Sequence, residues 1–220
     1  MIWIILIVIM LLSALVQQML NSRFAKYSKQ PCTMTGAEAA RKMLDDFGIR
    51  DVKVTSTPGH LTDHYNPQTL TINLSEDVYN ARSIAAVAVA CHETGHAVQH
   101  YQNYAPVKMR SSLVPVVNFA NKTVSWVLLL GCLLIEVFPA VLWAGIALFA
   151  MTTLFSFVTL PVEVDASRRA VAWLSASGIT DTATTPMAAD ALKWAAYTYV
   201  LAALSSLATL LYYIGIARRN

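Results

Sequence analysis

Three stretches of this chain are too apolar to be left in water. Residues 1–22 contain no Asp, Glu, Lys or Arg, residues 111–160 contain only Lys122 and Glu136, and residues 194–217 contain none. Residues 23–110, by contrast, hold 10 of the 16 bases and 8 of the 13 acids. Over the whole chain 56% of residues are hydrophobic and 13% charged, against roughly 45–50% and 25% in an ordinary soluble domain. This unevenness excludes a uniformly soluble globule, a disordered chain and a bundle made only of spans. A scattered net charge of +3 offers no basic face for nucleic acid. What remains is a membrane protein, with the lipid bilayer as its first partner and a polar, domain-like portion.

About 20 apolar residues are needed to cross the hydrocarbon core as a helix. Residues 1–22 are expected to be an uncleaved anchor, since the segment lacks the basic start and small-residue cleavage site of a signal peptide. Residues 113–160 suit a two-span hairpin, with Glu136 and Pro139 at its turn, and residues 194–217 suit a last span. That leaves 23–112 as the polar portion and 161–193 as a helical segment between the third and fourth spans. Four spans place Arg23, Lys26, Lys29, Lys108, Arg110, Arg168, Arg169 and Lys193 on one face. The positive-inside rule makes that face cytoplasmic, with Arg218 and Arg219 on the other side. A multi-pass protein of the cytoplasmic membrane is expected. Cys32, Cys91 and Cys132 are odd in number and do not form a disulfide framework.

Within the polar portion, Ala37, Ala40, Met43, Leu44 and Phe47 recur at helical spacing and Gly48 is a natural stop. A short strand over 52–56 follows, then a turn-rich run from Pro58 to Pro67. In TLTINLS, Leu70, Ile72 and Leu74 alternate with Thr69, Thr71 and Asn73, the pattern of a half-buried strand. Ser75 is placed to cap a helix running on through SIAAVAVACHETGHAVQH. The fold class is therefore a mainly α membrane protein of about four transmembrane helices, with a cytoplasmic-side α+β portion carrying a small sheet.

His92-Glu93-Thr94-Gly95-His96 is an H-E-x-x-H. On a helix, residues four apart lie one above the other, so both imidazoles reach one metal ion, and Glu93, about 100° round, can take a proton from a water there. Zinc accepts imidazole nitrogen and carboxylate oxygen and leaves a position open for water in catalytic sites. With five His and five Glu in the chain, the pattern arises by chance in roughly one such chain in 400. The alternative is a helix whose histidines only make hydrogen bonds. The run from Ala85 to Ala90 marks this helix as buried, and buried polar groups need partners, which favours the metal. Gly95 leaves open space on the helix, at a propensity cost of about 1 kcal/mol.

A third ligand is required. The spacing of the metzincins would put Gly and His where Gln99 and Gln102 stand, so that subclass fails. His100 lies too far along the axis and reads as a helix-end hydrogen bond. Glu163 and Asp165, in LPVEVDASRRA, remain. A short helix starting after Pro161 would present Glu163 with Ser167 one turn later, and Glu163 is preferred. Asp165 then reads as a carboxylate supporting the site or facing solvent. His60 and His64 form an H-x-x-x-H in a Pro/Gly-bracketed loop, read as local hydrogen bonding rather than a second metal site.

VAVACHETGHAVQH, the upstream GHLTDHYNPQTLTINLSEDVY and the downstream LPVEVDASRRA together resemble the YugP-like membrane zinc metallopeptidases, over nearly the whole chain. More distantly the chain is similar to the HtpX and CAAX-prenyl-protease type of gluzincin, which pairs H-E-x-x-H with a later E-x-x-x-D. The resemblance implies that the cytoplasmic-side α+β portion is zincin-like and holds one zinc ion through His92, His96 and Glu163, with Glu93 as general base. Ser167 stands where the wider group has an Asp that orients a ligand histidine; a serine adds no charge, so ligand basicity is lower. The resemblance also implies that TLTINLS, with Asn73, is an edge strand pairing with an extended substrate. His64 is a candidate to bind the tetrahedral intermediate. The implied function is membrane-embedded zinc endopeptidase, acting on a peptide or membrane-protein substrate. A second membrane protein, or another copy of the chain, is a further possible partner. The competing reading is a non-proteolytic, metal-stabilised membrane adaptor or chaperone. A protease with its motif inside the bilayer fits less well, because only 16 residues separate Arg82 from Gln99, short for a crossing.

Overall fold

The computed structural model describes residues 2–219, with side chains from residue 4 onward. Seven helices and three strands follow in the order α1 (Ile2–Tyr27), α2 (Gly36–Asp46), β1 (Lys53–Thr57), β2 (His64–Asn66), β3 (Thr71–Ser75), α3 (Glu76–Tyr79), α4 (Ile84–Tyr101), α5 (Ala105–Leu133), α6 (Ala140–Ala176) and α7 (Thr185–Ala217). This is a mainly α membrane protein with a small mixed sheet. Among the described residues four helices are long and apolar enough to cross a bilayer: Ile4–Tyr27, Ala105–Leu133, Ala140–Ala176 and Thr185–Ala217. The last two, at 37 and 33 residues, far exceed the length a crossing needs. Their polar ends carry Glu163, Asp165 and Arg169 on α6, and Asp190 and Lys193 on α7.

The chain forms two compact units. One comprises the stretch up to Leu15, Lys108–Pro161 and the stretch from Thr198; the other comprises Val16–Val107 and Val162–Tyr197. In the first, the α5–α6 hairpin closes on small residues. A Cβ on Gly131 would lie 2.5 Å from Leu142 Cα, and one on Gly145 would lie 2.8 Å from the Leu128 side chain. Small residues let membrane helices approach closely where lipid offers no hydrophobic driving force. A hydrogen bond of 2.7 Å joins Thr153 Oγ1 on α6 and Ser206 Oγ on α7.

The second unit is built around α4. Helix α2 starts with a capping box in which Thr35 Oγ1 accepts from the Glu38 N–H and Glu38 Oε2 accepts from the Thr35 N–H, satisfying two otherwise orphaned donors. It stops at Gly48, whose φ of +72° suits a residue without Cβ. Its buried face of Ala39, Ala40, Met43 and Leu44 meets a core that includes Ile72, Leu74, Ile84, Val87, Val98 and Leu174. Tyr27 Oη donates to Asp190 Oδ2 at 2.8 Å, and Arg23 Nε lies 3.3 Å from the same oxygen, joining the end of α1 to the start of α7.

The structure departs from the sequence reading at four places. The sheet order is β1-β3-β2, with β1 parallel and β2 antiparallel to β3, so TLTINLS supplies the central strand and not an edge. The edges are β1 and β2, the latter three polar or aromatic residues inside the run read as turns, too short to show alternation. The helix expected from Ser75 onward is broken. Ser75 Oγ bonds to Asp63 instead of capping, α3 ends after one turn, and α4 starts afresh with Ser83 Oγ accepting from the Ala86 N–H. No short helix begins after Pro161, because α6 runs through it unbroken. Pro is tolerated there at the loss of one backbone donor, as in membrane helices generally. Gly95, finally, does not face open space. A Cβ there would lie 2.7 Å from Ala166 O and 3.1 Å from Ala166 Cα, so α4 and α6 touch backbone to backbone.

Gly95→Ala therefore forces the two helices apart, at a cost of about 1–3 kcal/mol typical of overpacking. Thermal unfolding in detergent should show a lowered midpoint for this variant. Gly215→Ala, where nothing lies within 4 Å of the added carbon, should show no loss; equal midpoints would contradict the packing argument.

Candidate metal centre

Helices α4 and α6 together position one cluster. His92 and His96, one turn apart on α4, stack edge to face with ring centroids 4.8 Å apart. Across the Gly95–Ala166 contact, Glu163 of α6 turns its carboxylate towards both rings. Glu163 Oε2 lies 3.4 Å from His92 Nε2 and 3.5 Å from His96 Nε2. One ligand atom from each of the three residues falls within 4.8 Å of the others. Two ligand atoms on a tetrahedral zinc, each about 2.0–2.1 Å from it, stand about 3.3–3.4 Å apart, so the two His–Glu separations match such a site. The set of two imidazole nitrogens and one carboxylate oxygen is the donor chemistry zinc accepts.

The distal ring nitrogens are engaged elsewhere, which leaves the Nε2 atoms facing inward. Ser167 Oγ sits 3.1 Å from His92 Nδ1; one turn beyond Glu163 on α6, it shares that residue's face. Gln99 Oε1 lies 3.1 Å from His96 Nδ1. Burial, the largest influence on His96, pushes the imidazole down. The hydrogen bond to Glu163 and the nearby Glu93 and Glu163 charges outweigh it, and the pKa lies above the ordinary histidine value. The surroundings thus favour positive charge at this point.

Glu93 is buried on α4, and its Oε2 accepts from the Tyr65 N–H at 3.0 Å. In an antiparallel pair alternate residues turn their N–H and C=O away from the partner strand. Tyr65, with its N–H on Glu93, is such a residue, so the free edge of β2 runs beside the cluster. Tyr65 Oη contacts His100 Nδ1 at 3.0 Å, making His100 a hydrogen-bonded helix-end residue. Burial, with the charge of Asp51, pushes the Tyr65 hydroxyl up to about 12.

The remaining candidates lie apart from the triad's donor atoms. Asp165 Oδ2 accepts from Gln99 Nε2 at 2.9 Å and from Arg169 Nε at 2.5 Å. His64 Nε2 is 3.1 Å from Asn73 Nδ2, and His64 Nδ1 is 2.8 Å from Thr62 O. His60 Nδ1 pairs with Asp77 Oδ2 at 2.9 Å. Two site residues escape sequence reasoning, Gln99 and Tyr65. Gln99 follows His96 by one turn, and that spacing alone could have flagged it; Tyr65 acts through its backbone, which leaves no residue-type signal.

Over residues 2–218 the chain matches the family described as "Putative neutral zinc metallopeptidase". The chain belongs to this zinc metallopeptidase family. It is also similar to a protein of Bacillus subtilis (strain 168) named "Putative membrane protease YugP", at 42% identity over 207 residues, covering 93% of this chain and 91% of that relative. No solved structure matches. Zinc is the family's metal, and among the described residues His92, His96 and Glu163 are the group whose donors fit it.

In this cluster Ser167 supplies His92 with a neutral partner, so a charged one can be introduced by substitution. Ser167→Asp is expected to tighten zinc binding about tenfold and Ser167→Ala to weaken it, within the range for residues behind metal ligands. Chelator competition checks this, and indifference to both changes would show that Ser167 does not act through His92.

Proposed function

We propose that the chain is a membrane-embedded zinc endopeptidase whose single zinc is held by His92, His96 and Glu163, with Glu93 as general base. The observation that carries this reading is the convergence of the two Nε2 atoms on Glu163 Oε2 at 3.4 and 3.5 Å, beside a buried carboxylate that is not part of that trio. Zinc in such a site supplies Lewis acidity and lowers the pKa of a water. The chain's own groups do the rest. The Tyr65 N–H anchors Glu93 Oε2, which fixes the carboxylate's orientation and leaves Oε1 to take the water's proton and return it to the leaving amine. The Tyr65 N–H being taken by Glu93, the free edge of β2 offers the Tyr65 carbonyl as an acceptor to an extended peptide, a form of strand addition. That role passes to β2 from TLTINLS, whose two edges are both paired.

The site opens to the cytoplasmic face under this proposal, because Arg23, Lys26, Lys29, Lys108, Arg110, Arg168, Arg169 and Lys193 flank the spans on the side that carries residues 23–112, against Arg218 and Arg219 on the other. The adaptor reading shares the metal but has no use for a buried glutamate held by a backbone N–H.

Glu93→Gln is the discriminating variant. Purified in detergent, it should retain zinc and lose peptide hydrolysis by about 10²–10⁴-fold, the usual contribution of a general base. Hydrolysis at the wild-type rate would sink the catalytic assignment. A single cysteine introduced near Pro58 should react with an impermeant maleimide only after the inner face is exposed; labelling of intact cells would reverse the orientation.

A further inference from the structure

Gln99 is fully buried. Its amide spans three partners. Nε2 is 2.8 Å from Val162 O and 2.9 Å from Asp165 Oδ2, and Oε1 is 3.1 Å from His96 Nδ1. A carbonyl oxygen accepts hydrogen bonds and cannot donate. The same holds for Asp165 as a carboxylate, the form in which Arg169 Nε holds it at 2.5 Å. Only the NH₂ end of Gln99 can serve both acceptors, so chemistry alone fixes which way the amide points. Its oxygen must then face His96, and an oxygen facing Nδ1 requires Nδ1 to carry the proton.

We infer that Gln99 is a positioning residue that locks His96 as the Nδ1–H tautomer, leaving the Nε2 lone pair for the metal. The inference rests on the zinc-site reading above. Arg169 backs the lock from outside: besides Asp165 it donates to Gln102 Oε1 at 2.6 Å and lies over the Tyr104 ring at 5.6 Å from its centroid. The chain of contacts thus runs from the segment after α4 through Arg169, Asp165 and Gln99 to His96. His92 is treated differently. Its Nδ1 faces the Ser167 hydroxyl, which donates or accepts as required and imposes no tautomer. One ligand histidine is preset and the other adaptable.

The test uses the full chain in detergent, labelled with ¹⁵N-histidine and freed of metal, at an alkaline pH where the imidazoles are neutral. His96 should show a protonated Nδ1 in the wild type. Gln99→Met removes the acceptor at similar volume and should give a mixture of tautomers. Zinc affinity by chelator competition should fall about 10–100-fold in Gln99→Met. A wild-type His96 with a bare Nδ1 overturns the inference, and so does a folded Gln99→Met with wild-type tautomer and zinc affinity. If Gln99→Met does not fold, the wild-type tautomer decides. A wild type that binds no zinc refutes the metal-site reading, while the tautomer of the metal-free protein still tests the lock.

Discussion

The contact between Gly95 of α4 and the backbone of Ala166 on α6 is the constraint on which the rest of the site depends. Two helices ordinarily pack with axes 8–10 Å apart, kept there by side chains. Removing the side chain at Gly95 and keeping Ala166 and Ala170, both fully buried, as the facing residues lets the α6 backbone come within reach of both histidines. A carboxylate on a side chain as short as that of Glu163 can then face both Nε2 atoms. The helix-propensity cost of a mid-helix glycine, about 1 kcal/mol, is the local concession to that geometry.

Burying so many polar groups in one place would be destabilising if their hydrogen bonds were left unmade. The structure meets the requirement with paired assignments. Gln99 bridges α4 to the Val162 carbonyl and to Asp165, Ser167 meets His92, and the Tyr65 N–H meets Glu93. Each of these contacts also orients a residue of the proposed chemistry, so packing and site geometry arise from the same bonds. Helix α6 has a double task, its apolar first part belonging to one compact unit and its polar end to the other. Length in excess of a crossing is what makes this possible.

Much of the fold is legible in the sequence because it is written in long-range patterns. Blocks with little or no charge mark the four spans, the 3.6-residue spacing of Ala40, Met43, Leu44 and Phe47 marks α2, and the alternation of Leu70, Ile72 and Leu74 marks β3. What the sequence hides is decided by single tertiary contacts. Ser75 has the composition of a helix cap, but Asp63 takes its hydroxyl. Pro161 looks like a helix start, but the turns on either side carry α6 through it. The three residues of β2 contain no period, and their pairing with β3 sets them apart from a loop. In the site, H-E-x-x-H names three residues by spacing alone. Spacing cannot separate Glu163 from Asp165, two positions apart on one helix and therefore about 200° around it. In the structure Glu163 faces α4's histidines while Asp165 is held by Gln99 and Arg169.

The central claim, that a zinc site is completed by α6 through Glu163, is tested most directly by the zinc content of the wild type beside Glu163→Ala and Asp165→Ala. All three should be purified in detergent without added metal. The account predicts about one zinc per chain in the wild type and in Asp165→Ala, the latter bound more weakly, and a marked loss in Glu163→Ala. Zinc retained by Glu163→Ala and lost from Asp165→Ala would contradict it.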